Sequence, residues 1–457
     1  MSLKNKIPLL AAGISALTGT GCMEKSPPPN VIFILADDLG YSQTGCYGSN
    51  YYKTPNIDRL AAEGLRFTDA YAACSVSSPT RASIMTGKYP ARLHLTDFIP
   101  GNQRDDYPLS QTQWQKFLPL EEITLAEVFS AKGYRTAIFG KWHLSREKFG
   151  PQSLPWNPDK QGFHQHFVSD KPDRKSDPAY DAHKSDSIGN TSVRFIRENR
   201  DNPFFLFVSF SAIHNPLMEK AESIALWENA AGSEKEENNP VIAAMLSRLD
   251  SNVGKIVKTL EDSDLTSNTI VIFFSDNGGL GSDARQTPLR EGKGWLYEGG
   301  IRVPLIVKWP GMIEEGRVST EIVSSVDFMP TFCELIGSET VPSVDGISLL
   351  GHLKTGKPLP ERNVYWHFPH YHNGPPSGAV RSGKWKLIEW YGNSLLETDE
   401  PAFELFDLEN DISESVNLAD REKTITLKLS DDLRKWRDEV NAQMPVPNKK
   451  CKMFNSK

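Results

Sequence analysis

Val31-Ile32-Phe33-Ile34-Leu35 is an unbroken apolar run, and two aspartates, Asp37 and Asp38, stand almost directly after it. A run with no polar alternation is buried on both faces, the condition of a strand inside a sheet covered by helices on each side. The pattern recurs at Tyr134–Phe139, Phe204–Phe210, Ile270–Phe274 and Val303–Val307. Helix signals lie between these runs. Thr54-Pro55 opens one helix through Ile57, Leu60, Ala61 and Leu65. Thr124 and Glu127 form a capping box for another, which Gly133 stops. Ile242, Met245, Leu249, Val253, Ile256 and Leu260 mark one face of a third. The alternation predicts an α/β fold, an open sheet with helices on both faces.

A chain of 457 residues exceeds what one core usually holds. After Leu350 the texture changes. Val364–Trp366, Gly378–Arg381 and Trp385–Ile388 look like short strands joined by turns, and a last helix is predicted from about Thr424 to Val440. We therefore expect an α/β domain over 29–355, a C-terminal subdomain over 356–448, and a loose tail over 449–457. Arg146–Tyr180 reads as a long insertion, and Gly232–Asn239 as a solvated loop. The N-terminus reads as a targeting segment: Lys4 and Lys6, then an apolar run from Ile7 to Leu17 too short to span a bilayer. The net charge of −7 argues against a nucleic-acid partner, so an anionic ligand must be drawn in by a local positive site. Cys46, Cys74, Cys333 and Cys451 show no metal-type spacing, and any disulfide pairing is left open.

In open α/β sheets, ligands bind beyond the carboxyl ends of the strands. Here those ends are followed by Asp37 and Asp38, by Lys141 and His143, by His214, and by Asp276 and Asn277. Acids, bases and an amide thus converge on one sheet edge. Asp37, Asp38, Asp276 and Asn277 offer only oxygen, which suits Ca²⁺ or Mg²⁺ rather than zinc. Asp276-Asn277-Gly278-Gly279 taken alone is also a good turn sequence.

One further motif stands outside the strand ends. Ser77-Ser78-Pro79-Thr80-Arg81 fits the pattern Cys or Ser, any residue, Pro, any residue, Arg, and Ser77 is the one local residue in register. It resembles the modification signature of the type I sulfatases, whose first residue is oxidised to formylglycine. Ala36–Gly40, Thr86–Pro90, Gly140–Leu144, His214–Pro216, Ser275–Gly279 and Gly292-Lys293-Gly294 through Pro304 resemble further blocks of that family, in its order. The resemblance runs to about Leu418 and implies an alkaline phosphatase-like fold. That fold is a large mixed sheet sandwiched by helices, with a smaller C-terminal antiparallel sheet plus one helix.

The resemblance also implies roles. Asp37, Asp38, Asp276, Asn277 and the modified Ser77 would ligate Ca²⁺. Arg81 would hold the aldehyde hydrate, and Lys141, His214 and Lys293 would contact sulfate oxygens. His143 would bond the second hydroxyl of the hydrate and take its proton. His94, Asp97, Arg290, Trp295, His370 and His372 are candidates for holding a sugar. Gly19-Thr20-Gly21-Cys22 resembles a bacterial lipoprotein signal over 1–22, with Cys22 lipidated; cleavage by an ordinary signal peptidase is the competing reading. The implied protein is an exported carbohydrate O-sulfatase, periplasmic or outer-membrane, of a Gram-negative bacterium. Its serine at position 77 resembles the subset matured by a radical enzyme, and sulfated galactose or N-acetylgalactosamine is the first expectation for its glycan. Two alternatives stay open: a phosphodiesterase or phosphonate hydrolase of the same superfamily, and a non-catalytic glycan-binding lipoprotein with unmodified Ser77.

Overall fold

The computed structural model describes residues 27–451 except 103–105, 146–154, 170, 173, 340 and 397. The lipoprotein-type signal with Cys22 lies outside the described residues.

Eight strands form the main sheet: β1 Asn30–Ala36, β2 Leu65–Phe67, β3 Arg135–Gly140, β4 Gln165–Val168, β5 Phe204–Ser209, β6 Thr269–Ser275, β7 Leu305–Lys308 and β8 Arg317–Ser319. Their order is β8-β2-β7-β6-β1-β5-β3-β4. Strands β6, β1, β5, β3 and β4 run parallel, while β7 is antiparallel to both of its neighbours. The sheet is therefore mixed. Central β1 shows why its sequence had to be apolar throughout. Val31, Phe33 and Leu35 enter one core with the helices Ser77–Thr86, Leu125–Ala131 and Phe328–Leu335. Ile32 and Ile34 enter the other with Pro55–Ala62, Ser185–Glu198 and Pro240–Asp262. Phe33 stacks on Phe207 at 5.1 Å and meets Phe328 edge-on at 4.8 Å. The predicted capping box is present: Glu127 N donates to Thr124 Oγ1, and Thr124 N donates to Glu127 Oε2.

Leu65, expected on the helix opened by Thr54-Pro55, lies instead in β2, because that helix ends at Ala62. Two further sequence expectations are corrected. The stretch read as an insertion contains β4, which pairs parallel with β3 at the sheet edge. Its four residues are exposed or half-buried, so it carries no apolar signal. The strand expected from Val303 begins at Leu305, because Pro304 has no N–H for the ladder.

The C-terminal part forms a four-stranded antiparallel meander, Asn363–Phe368, Ser377–Ser382, Trp385–Trp390 and Phe403–Asp407. Val364, Trp366, Ile388 and Phe406 on one face pack against Tyr71, Leu296, Tyr297 and Ile301 of the larger part. Val380, Leu387 and Leu405 on the other face pack under Leu429, Leu433 and Trp436 of the helix Lys423–Glu439. Of the tail expected over 449–457, residues 452–457 lie outside the described residues, Lys449 and Lys450 are exposed, and the chain around them is tied down. Val446–Pro447 pairs with Leu109–Ser110, and Cys451 is buried with its thiol 3.4 Å from the Asp106 carbonyl. Cys46, Cys74, Cys333 and Cys451 are free thiols. Among the described residues no helix is long and apolar enough to cross a membrane.

Candidate active site

The carboxyl ends of β1, β3, β5 and β6 lie side by side, so the turns after them deliver their side chains to one place. Asp37 follows β1, and its backbone is tied to the turn after β5 by Asp37 N to the Ala212 carbonyl and Ile213 N to the Asp37 carbonyl. Asp38 adopts a left-handed backbone, φ 61°, and its N–H donates to Asp276 Oδ1 at 3.2 Å. Asn277 Nδ2 donates to Asp38 Oδ1 at 2.8 Å. Asp37, Asp38, Asp276 and Asn277 have no exposed surface.

Ser77 opens the helix Ser77–Thr86, but its hydroxyl does not cap it; Val76 is the cap residue. Ser77 Oγ instead lies 3.2 Å from Asp37 Oδ1, 3.3 Å from Asn277 Oδ1 and 3.3 Å from Lys141 Nζ. Arg81, one turn on, is aimed by three partners. Nε donates to Asp276 Oδ2 at 2.9 Å, and Nη1 donates to the Lys141 carbonyl at 2.9 Å and to Ser209 Oγ at 2.6 Å. Nη2 sits 2.8 Å from Asp276 Oδ2 without hydrogen-bond alignment, so it retains donor capacity. Lys141 Nζ is 2.6 Å from Asp37 Oδ2, and Lys293 Nζ is 2.8 Å from both oxygens of Asp38.

Burial and charge set the protonation states. Burial works against the Asp38 carboxylate, but the neighbouring cations, Lys293 first and Lys141 with it, outweigh it and hold Asp38 well below the usual range. Burial and then the neighbouring Asp37 push Asp276 upward against Arg81 and Lys141. Burial lowers Lys141, helped by Arg81 and Lys293. Burial pulls on Lys293 too, but Asp38, Asp37 and Asp276 together raise it. Burial, then Lys141 and Arg81, push His143 far down. Burial and Lys293 do the same to His214 against the pull of Asp38. Both imidazoles are therefore neutral. His143 Nε2 meets the Ile99 carbonyl at 2.6 Å, and since a carbonyl only accepts, that nitrogen carries the proton. Its Nδ1 is a buried lone pair with no partner. By the same logic His214 Nδ1 donates to the Asn215 carbonyl at 2.6 Å, and Nε2 is the lone pair, 3.8 Å from Asp38 Oδ2.

Three cations, three carboxylates, an amide oxygen and a hydroxyl thus share one dry space. The donor set fits a hard divalent cation. Asp37, Asp38 and His214 offer ligand atoms within 4.8 Å of one another, and the Asn277 and Asp276 oxygens adjoin them.

Comparison with known proteins identifies the arrangement. The sulfatase family profile matches residues 29–338, more than half of the chain, and the profile of the N-sulphoglucosamine sulphohydrolase C-terminal region matches 292–439. Human arylsulfatase A is 32% identical over 452 residues, covering 86% of this chain and 83% of that protein. The N-acetylgalactosamine-6-O-sulfatase of Bacteroides thetaiotaomicron is 27% identical, covering 93% and 97%. The crystal structure of Ps i-CgsB in complex with k-i-k-neocarrahexaose superposes with a TM-score of 0.76 at 28% identity, covering 90% and 92%. The chain belongs to the sulfatase family. It is a type I sulfatase of the alkaline phosphatase-like superfamily, a sulfuric ester hydrolase.

In this sulfatase the six residues expected to face a sugar divide sharply. His370 has no exposed surface; its Nε2 meets Thr96 Oγ1 at 2.8 Å and its ring lies edge-on to Trp114. Asp97 is 1% exposed, with Oδ1 accepting from Phe98 N, and burial raises its pKa to about 7. His94 is tied to the Asn441 carbonyl, and Arg290 to the Glu414 carbonyl while lying over the Tyr297 ring at 3.9 Å. These four have structural employment. His372 and Trp295 are half-buried and border the Lys293 loop.

Sequence reasoning passed over two residues here. Ser209, the last residue of β5, donates to the Lys141 carbonyl at 2.6 Å as well as accepting from Arg81. Its place at a strand end was the available signal. Asn373, which holds the Lys293 carbonyl, carries no local signal at all.

Proposed function

We propose that the protein is an exported carbohydrate O-sulfatase that hydrolyses sulfate esters on glycans, with a formylglycine made from Ser77 and a divalent metal, Ca²⁺ in the first instance. The observation that carries this reading is the Ser77 hydroxyl itself, within 3.3 Å of Asp37, Asn277 and Lys141 rather than capping its own helix. A glycan substrate is supported by relatives named for N-acetylgalactosamine sulfate and by a structural neighbour with a bound neocarrahexaose.

Asp37, Asp38, Asp276, Asn277 and position 77 would hold the metal, which supplies charge stabilisation to a departing anion and lowers the pKa of an attached hydroxyl. An aldehyde at position 77 would supply a nucleophile that can release sulfate by re-forming its carbonyl, an exit that plain serine lacks. This chain's own side chains do the rest. Lys141 and Lys293 bind the sulfate oxygens with His214 beside them, replacing water around an anion. Arg81, fixed by Asp276, Ser209 and the Lys141 carbonyl, orients the group at position 77. Neutral His143, with Nδ1 as its open acceptor, takes a proton there. Net consumption is one water per ester, giving an alcohol and sulfate.

Serine at the motif further supports maturation by a radical-type enzyme, and the amino terminus supports export with lipidation at Cys22 as the anchor. The reading is tested by sulfate release from sulfated galactose or N-acetylgalactosamine glycans beside paired aryl sulfate and phosphodiester substrates. We expect sulfate esters to be preferred. Preferred phosphodiester turnover would replace the reading with a phosphodiesterase, and no turnover with an intact serine would leave a glycan-binding protein.

A further inference from the structure

Lys293 is held from two sides. It sits in an irregular loop, Gly292–Trp295, with no strand or helix to fix it. Two bonds come from the larger part: Lys293 N to the Gly279 carbonyl at 2.8 Å, and Gly294 N to the Ser75 carbonyl at 2.9 Å. The third comes from the C-terminal sheet. Asn373, in the loop between the strands Asn363–Phe368 and Ser377–Ser382, donates Nδ2 to the Lys293 carbonyl at 2.8 Å.

The two loops interlock around that bond. Gly294 has φ +84°, and a β-carbon there would lie 2.3 Å from His372 Nδ1. A β-carbon at Gly374 would lie 2.6 Å from Trp295 Cε3. Each loop therefore keeps a glycine where the other inserts a ring, and Asn373–Lys293 lies between the two contacts. His372 N bonds the Gly374 carbonyl at 3.0 Å and closes the turn that presents Asn373.

We propose that Asn373 is a positioning residue for Lys293, and that the C-terminal sheet completes the sulfate-binding end of the site through it. A lysine head on four methylenes explores a wide volume unless its main chain is fixed, and ordering it during binding costs affinity. Three hydrogen bonds on consecutive backbone groups fix the main chain here, and the head then reaches Asp38. Asn373 is exposed, so its truncation leaves no cavity in the core. The inference rests on the reading of Lys293 as a sulfate contact.

The test is a double-mutant cycle on the full-length, metal-loaded enzyme, with Lys293→Met, Asn373→Ala and both together. The readout is the affinity for inorganic sulfate by calorimetry, which needs no turnover, with thermal melting in parallel. Lys293→Met should weaken sulfate by at least about tenfold, the scale of a lost charged hydrogen bond. Asn373→Ala should weaken it about three- to tenfold with the melting temperature unchanged, the scale of a neutral one. Added to Lys293→Met, Asn373→Ala should do nothing more. A merely structural asparagine would cost the same in both backgrounds, and that additivity overturns the proposal. So does unchanged affinity in Asn373→Ala beside a loss in Lys293→Met. Unchanged affinity in Lys293→Met alone would instead sink the reading of Lys293 as the sulfate contact.

Discussion

The molecule buries charge in two places with the same inventory and opposite outcomes. The strand-end cluster holds Asp37, Asp38 and Asp276 against Arg81, Lys141 and Lys293. A second cluster, between the large sheet and the C-terminal one, holds Asp69, Glu298 and Glu414 against Arg302, Arg381 and Lys386. In the second, cations separate the acids. Lys386 Nζ bridges Glu298 at 2.9 Å and Glu414 at 2.8 Å. Arg302 and Arg381 bracket Asp69 at 3.2 and 2.7 Å, and Tyr71 donates to Glu298 at 2.8 Å. Arg381 also bonds the Tyr71 hydroxyl. In the first, the acids share a space with one another and with Ser77, and a histidine lone pair stays open. Matched charges adhere; acids crowded together with free donors and acceptors are what the proposed cation and anion would satisfy.

The adhesive cluster breaks first. Lys386→Met leaves Glu298 and Glu414 buried without their shared partner. Removing one member of a buried ion pair costs about 3–5 kcal/mol, so a large fall in melting temperature is expected. An unchanged melting curve would show that the cluster is not holding the two parts together. The reactive cluster should break the other way. Asp276→Asn should lower kcat/KM by at least about a hundredfold, the scale of a lost preorganised charge partner. Its melting temperature should stay within a few degrees, because the substitution also relieves the crowding with Asp37. Full activity, or a stability loss as deep as that of Lys386→Met, would erase the distinction between the clusters.

A smaller effect sharpens the comparison from outside both. Asp97 has its pKa raised by burial to about 7. Its proton is kept in the folded chain and lost in the unfolded one between the ordinary carboxylate range and pH 7. Its stabilising contribution is therefore complete in acid and is lost as pH rises through about 7. Asp97→Asn should flatten that fall by about 1 kcal/mol or more, read from melts at pH 5 and pH 8. Identical pH slopes in the two proteins would contradict it.

What the sequence could disclose follows the same division. β1 and the aspartates after it were legible, because a doubly buried strand must be apolar and its end must turn. The strand-end rule alone collected Asp37, Asp38, Lys141, His143, His214, Asp276 and Asn277. β2, β4 and β8 were not legible: they have three or four residues each, and their pairing is supplied by neighbours distant in sequence. Lys386 and Glu414 are buried partners from distant positions, a pairing no local pattern carries. His370 looked like a ligand-facing histidine in an aromatic stretch; it lies in a strand-end turn packed under Trp114. Asn373 acts on Lys293 across 80 positions, a contact no local pattern carries.

On the proposed mechanism the crowded cluster works through an aldehyde at position 77. This is tested most directly by mass spectrometry of the Ser77 peptide with sulfate release measured on the same sample. Protein from a host with the radical-type maturase should show the aldehyde, with turnover proportional to its content. A host with only the oxygen-dependent maturase should give folded, inactive Ser77 protein, and Ser77→Cys in that host should restore both aldehyde and turnover. Full activity from serine protein carrying no aldehyde would contradict the account.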